Sequence, residues 1–480
     1  MMSEKTLLSS KFLLFMITIS MVLFIFSSLF FLQYTNTPFT SGLILKLILP
    51  SNTTNDPFPS RLNDDKHVSA RGESSCEKPC SNFVSCDRNQ PMLKVFMYDF
   101  PPEFHFGLMG WKKKGAQIWP NVKDLSMISS YPGGLNLQHS VEYWLTLDIL
   151  ASETPEIVRP PCSSIRVKNS SEADVVFVPF FSSLSYNRRS KPRGNGTTSV
   201  DRLLQDRLVE FLTGQDEWKR FGGKDHVIVA HHPNSLFYAR NALGSAIFVL
   251  ADFGRYPSAV ANLAKDVIAP YMHVMKTVPG GESDPFEKRP ILAYFQGAIY
   301  RKDGGTIRQE LYYLLKDEKD VHFSFGTVKG NGINEASKGM ASSKFCLNIA
   351  GDTPSSNRLF DSIVSHCVPV IISDDIELPF EDVLDYSRFS MFVHASDAVK
   401  KGYLVNLLRG ITRDQWTEKW ERLKQVVGYF EYRFPSRPGD AVDMIWASVS
   451  RKLSSVRFDA HRKKRYDRSE TYSAERYIYN

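Results

Sequence analysis

The chain has 480 residues, of which 42% are hydrophobic and 23% charged; these values are ordinary for folded domains and exclude a wholly disordered, collagenous or coiled-coil protein. At roughly 150 residues per domain the length allows about three units and at least one large core. The 59 Lys and Arg against 52 Asp and Glu leave a net charge of +7, but nine basic and four acidic residues fall within residues 451–480, so the body is nearly neutral and lacks the basic face of a nucleic-acid-binding protein.

In chain order, the first predicted element is a membrane span. After a tail at 1–11, residues 12–32 carry no charge and only Thr18, Ser20, Ser27 and Ser28 as mild polar interruptions, which is about one bilayer of helix. A cleaved signal peptide would have a shorter apolar core and a small-residue cleavage site, and none follows. Lys5 and Lys11 precede the span and the next charge is Lys46, so the positive-inside rule keeps the short tail in the cytosol and puts the body in a lumen. Residues 33–90, rich in Ser, Thr, Asn, Asp and Pro, read as a stem. Three glycosylation sequons, at Asn52, Asn169 and Asn195, lie on the lumenal side. Cys76, Cys80 and Cys86 cluster before the first strand, where pairing among them and Cys162 suits an oxidising compartment, with the connectivity open. Cys346 and Cys367 sit in apolar runs and read as buried free thiols.

From residue 91 short apolar runs alternate with helical stretches: a strand at 93–97, a helix at 140–150, a strand at 173–181, a helix at 203–212 and a strand at 226–230. This is the alternation of a parallel sheet covered on both faces. A Pro, Gly and Asp-rich segment at 278–290 marks a boundary, giving lobes at 91–283 and 284–450 and a basic tail at 451–480. The second lobe resumes with strands at 291–296, 321–325, 344–350 and 368–373 and a helix at 306–315. Two α/β lobes facing a cleft suit a ligand of two unlike parts, held at the carboxyl ends of the strands.

The most informative stretch runs from Phe345 to Ser373 and reads strand, tight loop, helix, strand. Gly351 permits a sharp turn, Thr353 is placed to cap the helix with Pro354 in its first position, and Ser355 and Ser356 bring hydroxyls beside free backbone amides. A helix N-terminus of this kind attracts phosphate, so a diphosphate fits without a metal. Arg358 near that end is disfavoured by the helix dipole unless an anion is bound, and Asp361, three residues on, is positioned for ribose hydroxyls; a simple Arg358–Asp361 ion pair is the competing account. Dinucleotide, P-loop, zinc-protease and serine-hydrolase motifs are missing, as is an Asp-x-Asp metal bridge, the nearest acids being Asp374, Asp375 and Glu377.

The segment 345–380, with Gly-Asp-Thr-Pro-Ser-Ser-Asn-Arg-Leu-Phe-Asp at 351–361 and Ile-Glu-Leu-Pro-Phe at 376–380, resembles the signature of the plant exostosin-like glycosyltransferases, family 47. Tyr-Asp-Phe-Pro-Pro-Glu-Phe at 98–104, Glu-Tyr-Trp at 142–144 and Ala-Asp-Val-Val-Phe-Val-Pro-Phe at 173–180 are similar to that family's first lobe. Within the family the chain is most similar to the pectic arabinosyltransferase group. The resemblance implies a GT-B fold of two Rossmann-like lobes behind a single transmembrane helix, Golgi type II topology, a UDP-sugar donor and inversion at the anomeric carbon. It also implies that Arg358, with the loop amides near Ser355 and Ser356, neutralises UDP and that Asp361 holds its ribose; Gly351 belongs to the same donor-binding turn, and Glu377 either binds donor or caps the turn before Pro379.

The expected activity is therefore transfer of a pentose, arabinose from UDP-arabinose, to a wall polysaccharide such as the arabinan of rhamnogalacturonan I, with no metal or other cofactor required. The rivals are transfer of xylose, galactose or glucuronic acid, and a silent sugar-binding subunit partnering other Golgi transferases, alone or as an oligomer. Inversion needs a base for the acceptor hydroxyl; the candidates are Glu142, Asp99 and His231, the last with its neighbour His232 after a strand. Trp111, Trp119, Tyr131 and Trp144 are candidates for an acceptor-stacking platform.

Overall fold

The computed structural model describes residues 92–476, apart from residues 125, 127, 155–156, 158–162, 193–196, 302–304 and 328–329, and Met21 in the N-terminal segment. The expected span (Met21 excepted) and stem, Cys76, Cys80, Cys86, Cys162 and the sequons at Asn52 and Asn195 lie outside the described residues. Among the described residues no helix is long and apolar enough to cross a membrane. Asn169 is exposed, and its side chain caps a short turn by accepting from the Ser171 amide.

The first lobe is built on six strands, β1 Leu93–Met97, β2 Ser164–Val167, β3 Val175–Val178, β4 His226–Val229, β5 Ile247–Leu250 and β6 Val267–Ile268. All pair in parallel in the order β2-β1-β3-β4-β5-β6. The sequences of β3, β4 and β5, VVFV, HVIV and IFVL, are buried at every position, as strands covered on both faces must be.

The second sheet holds β7 Ile291–Gly297, β8 Val321–Phe325, β9 Ser343–Ile349, β10 Val368–Ile372 and β11 Met391–Phe392. These too are parallel, ordered β11-β10-β9-β7-β8. After β7 the chain goes to one side for β8 and then crosses to the other for β9, so the strand order reverses between β7 and β9. Ligands of open α/β sheets bind beyond the strand ends at such a point. The α/β class, with two parallel sheets, is thus as the sequence pattern predicts.

Two features depart from it. Cys346 and Cys367 form a disulfide rather than two free thiols. Pairing β9 with β10 in register brings their Cα atoms to 5.7 Å, within reach of a bridge; the apolar runs revealed burial but not adjacency. The boundary at 450 also falls inside one helix, Ala441–Arg476, which runs on through most of the basic tail. Its first turns return to the first lobe, where Trp446 lies edge-on to Phe177 at 5.6 Å and donates Nε1–H to Asp148 at 3.1 Å.

Candidate active site

A cleft of about 540 Å³ opens beyond β7 and β9 and faces the first lobe. Its floor on the second-lobe side is the loop between β9 and the helix Asn357–Val364. The helix starts later than the sequence suggests. Ser356, in extended conformation, is the N-cap and accepts from the Arg358 amide at 3.3 Å. Thr353 and Pro354 remain in the loop, the Thr353 hydroxyl donating to the Ser355 carbonyl at 3.2 Å. Gly351 is needed for space rather than for a turn: a Cβ there would come 2.5 Å from Arg308 Nη2. Gly297 at the end of β7 has the same role, since its Cβ would sit 2.8 Å from Arg358 Nη1.

Four arginines, 255, 301, 308 and 358, line this cleft. Arg308, from the helix Thr306–Leu315, is 1% exposed and spreads its guanidinium over the carbonyls of Ala298, Ile349 and Ala350, at 2.7–3.2 Å. It thereby ties the ends of β7 and β9 together. Burial, with Arg358 and Arg301 close by, pulls it down to about 8. Arg358 lies over the Phe295 ring at 4.9 Å, and burial with Arg301 nearby lowers it to about 10. Its Nε has no hydrogen-bond partner among the described residues. Arg301 pairs with Asp352 at 3.0 Å. So much crowded positive charge at a helix N-terminus is unfavourable alone and relieved by a bound polyanion. Among the described residues no group of three or more His, Cys, Asp or Glu could hold a metal ion.

Of the residues expected to bind donor, Gly351, Ser355, Ser356, Arg358 and Asp361 all line the cleft. Asp361 is engaged otherwise than expected. Its Oδ1 accepts from the amides of Val274 and Met275 at 2.7 and 3.2 Å, and Oδ2 accepts from Asn357 Nδ2 at 2.7 Å. It clamps the interlobe segment to the helix, and burial raises it to about 6. Glu377 lies in the loop after β10, away from the cleft lining.

The three base candidates are not on the cleft wall. Asp99 pairs with Arg166 at 2.6 Å and accepts from Trp119 Nε1 at 2.7 Å. His231 is wholly buried behind His139, with their Nδ1 atoms 2.9 Å apart. Glu142 is wholly buried and accepts from the amide and hydroxyl of Ser183 at 2.9 and 3.4 Å. Burial pushes its carboxyl up to about 8. Between roughly pH 4.5 and 8 the folded state therefore holds a proton that the unfolded chain has lost, so this group's contribution to stability falls as pH rises through that window. Glu142→Gln, which preserves both contacts, is expected to keep transfer activity within about threefold and to flatten that part of the stability profile in urea titrations. Loss of activity without loss of stability would restore Glu142 to the mechanism.

The aromatic candidates pack within the first lobe: Trp119 stacks on His105 at 4.3 Å, Trp144 donates to Ser140 Oγ at 2.9 Å, Tyr131 is buried and Trp111 packs against the core. None lines the cleft; Tyr271, His139 and His232 do. Sequence reasoning missed Arg308, Arg301 and His139, which lie far along the chain from the signature segment, and no local pattern marks them.

A cleft lined by four arginines between two parallel α/β lobes has the charge to attract an anionic ligand, and comparison with known proteins narrows the class. The family model for the Exostosin GT47 domain matches residues 89–411. A protein of Arabidopsis thaliana described as probable arabinosyltransferase ARAD1 is 41% identical over 379 residues, 78% of this chain and 82% of that one. Probable glucuronosyltransferase 47 A of Physcomitrium patens is 26% identical over 383 residues, 75% and 76% of the two chains. Probable beta-1,4-xylosyltransferase IRX10L of Arabidopsis thaliana is 26% identical over 392 residues, 76% and 83%. Likeness to solved structures is slight, as for the GtfA/B complex at a TM-score of 0.30 and 12% identity, covering 59% of this chain and 58% of that one. The chain belongs to the exostosin GT47 family, and with it to the glycosyltransferases.

Proposed function

We propose that this glycosyltransferase is an inverting enzyme of GT-B type that moves arabinose from UDP-arabinose to a wall polysaccharide such as pectic arabinan, working in the Golgi lumen from an N-terminal anchor. The observation that carries the donor site is the group of arginines around the loop 350–356 at the strand-order reversal, which matches a nucleotide diphosphate in charge and position. Arginines neutralise the departing diphosphate directly, so the reaction proceeds without a divalent metal. The disulfide between Cys346 and Cys367 fits an oxidising lumen. The choice of arabinose follows the 41% identical relative, whereas the relatives described as glucuronosyl- and xylosyltransferases stand at 26%.

The test is a donor panel. Full-length protein is incubated with UDP-arabinose, UDP-xylose, UDP-galactose or UDP-glucuronic acid, arabinan oligosaccharides and excess chelator, and UDP release is measured. Turnover with UDP-arabinose despite chelator is the expected result. A different preferred donor corrects the sugar, complete loss in chelator refutes the metal-free reading, and UDP binding without any turnover points to a silent subunit.

A further inference from the structure

Three histidines meet at the first-lobe side of the cleft. His139 ends the short 3-10 turn Gly134–His139, and His231 and His232 follow β4. His231 Nε2 lies 3.1 Å from the Ala269 carbonyl, which can only accept, so Nε2 carries the proton. Its Nδ1 then offers a lone pair, and the Nδ1 of His139, 2.9 Å away, must be the donor. The ordering passes through the second ring: His139 Nε2 is left unprotonated, on a residue that lines the cleft and is 3% exposed. His232 is set the opposite way. Its Nδ1 accepts from the Asn234 amide at 3.1 Å, which leaves Nε2 as a donor on a ring 4.6 Å from that of His139. A hydroxyl at this wall finds an acceptor and a donor side by side. Tyr271 packs against His139 with ring centroids 5.0 Å apart and planes inclined at 53°, and its hydroxyl is influenced by the Thr353 and Ser355 side chains, so one ring separates the histidines from the diphosphate loop.

We propose that His139 is the general base of the transfer, with His231 the positioning residue that fixes its tautomer; the proposal rests on the donor site argued above. The acceptor oxygen bonds to the anomeric carbon while its proton passes to His139 Nε2. The bond from that carbon to the diphosphate oxygen breaks, its electron pair staying on the oxygen that the arginines neutralise. The imidazolium then gives its proton to solvent. Burial and the neighbouring histidines hold His139 well below the usual imidazole range, so Nε2 stays free before each turnover and is discharged after it.

His139→Asn keeps an amide N–H near the place of Nδ1 and deletes Nε2. In full-length protein, with the donor and acceptor that the parent turns over, it is expected to lower kcat roughly 100-fold or more, with UDP affinity by calorimetry within about twofold of the parent. Imidazole added to His139→Gly should restore at least a tenfold gain, which a merely structural residue would not show. Parent-level kcat in folded His139→Asn overturns the proposal, as does loss of UDP affinity, which would make His139 a donor ligand. Nitrogen-15 NMR of the imidazoles decides independently of donor identity or of a variant's folding: His139 protonated at Nδ1 is expected, and protonation at Nε2 overturns the assignment. Failure of the parent to bind UDP would sink the donor site instead, which is a separate result.

Discussion

Replacing Arg358 with alanine is expected to weaken UDP binding roughly 150-fold, or about 3 kcal/mol, the scale for removing one partner of an enclosed charge-assisted pair. The guanidinium's Nε has no partner among the described residues and the group lies near two further arginines, so the unliganded protein gains little from its charge. At a UDP concentration 100 times the parent Kd, ligand should stabilise the parent by about 2.7 kcal/mol and the variant by about 0.3 kcal/mol, while the unliganded variant unfolds no earlier than the parent. Calorimetry and thermal unfolding with and without UDP read both quantities. Unchanged UDP affinity with reduced stability would make Arg358 a packing residue and move the donor elsewhere.

Asp361 gives the second large effect, on stability. Asp361→Ala strands the Val274 and Met275 amides and the Asn357 side chain, at a cost of about 3 kcal/mol. Asp361→Asn keeps an acceptor for both amides and offers a donor to Asn357 Oδ1, which has no partner among the described residues; it should be near neutral. The parent carboxyl, raised to about 6 from an ordinary value near 4, holds a proton in the folded state that the unfolded chain has lost. Its contribution therefore falls as pH climbs from about 4 to 6, and Asp361→Asn should abolish that slope in denaturant titrations. If Asp361→Ala keeps full stability but loses UDP affinity, the carboxylate binds ribose and the clamp is wrong.

These two residues show what the chain reveals on inspection and what it conceals. The segment from Phe345 to Ser373 was legible because its strand, loop, helix and strand are contiguous, so hydrophobic period and helix-start chemistry speak for neighbours in space. The alternation of apolar runs likewise announced two parallel sheets, since strands buried on both faces stand out. What failed depends on partners brought by folding. The place of Asp361 on the helix was read correctly, but the interlobe amides that occupy it come from residues 274 and 275. Glu142 was a candidate base on a predicted helix and is wholly buried, engaged by Ser183, 41 residues away. His139 drew no notice because its value comes from a ring 92 residues away.

The chain passes between the lobes near residues 270–277 and returns near 431, and the two passages touch: Tyr432 donates its hydroxyl to the Pro270 carbonyl at 2.6 Å, and Thr277 donates to Glu431 at 2.5 Å. The two tethers lie side by side like the leaves of one hinge, and one buried core, holding Phe177 and Val227 with Phe360 and Phe380, continues across both lobes. Because Asp361 fastens the nearer tether beside Arg358, the arginine-lined loop and the passage between the lobes are anchored at the same spot.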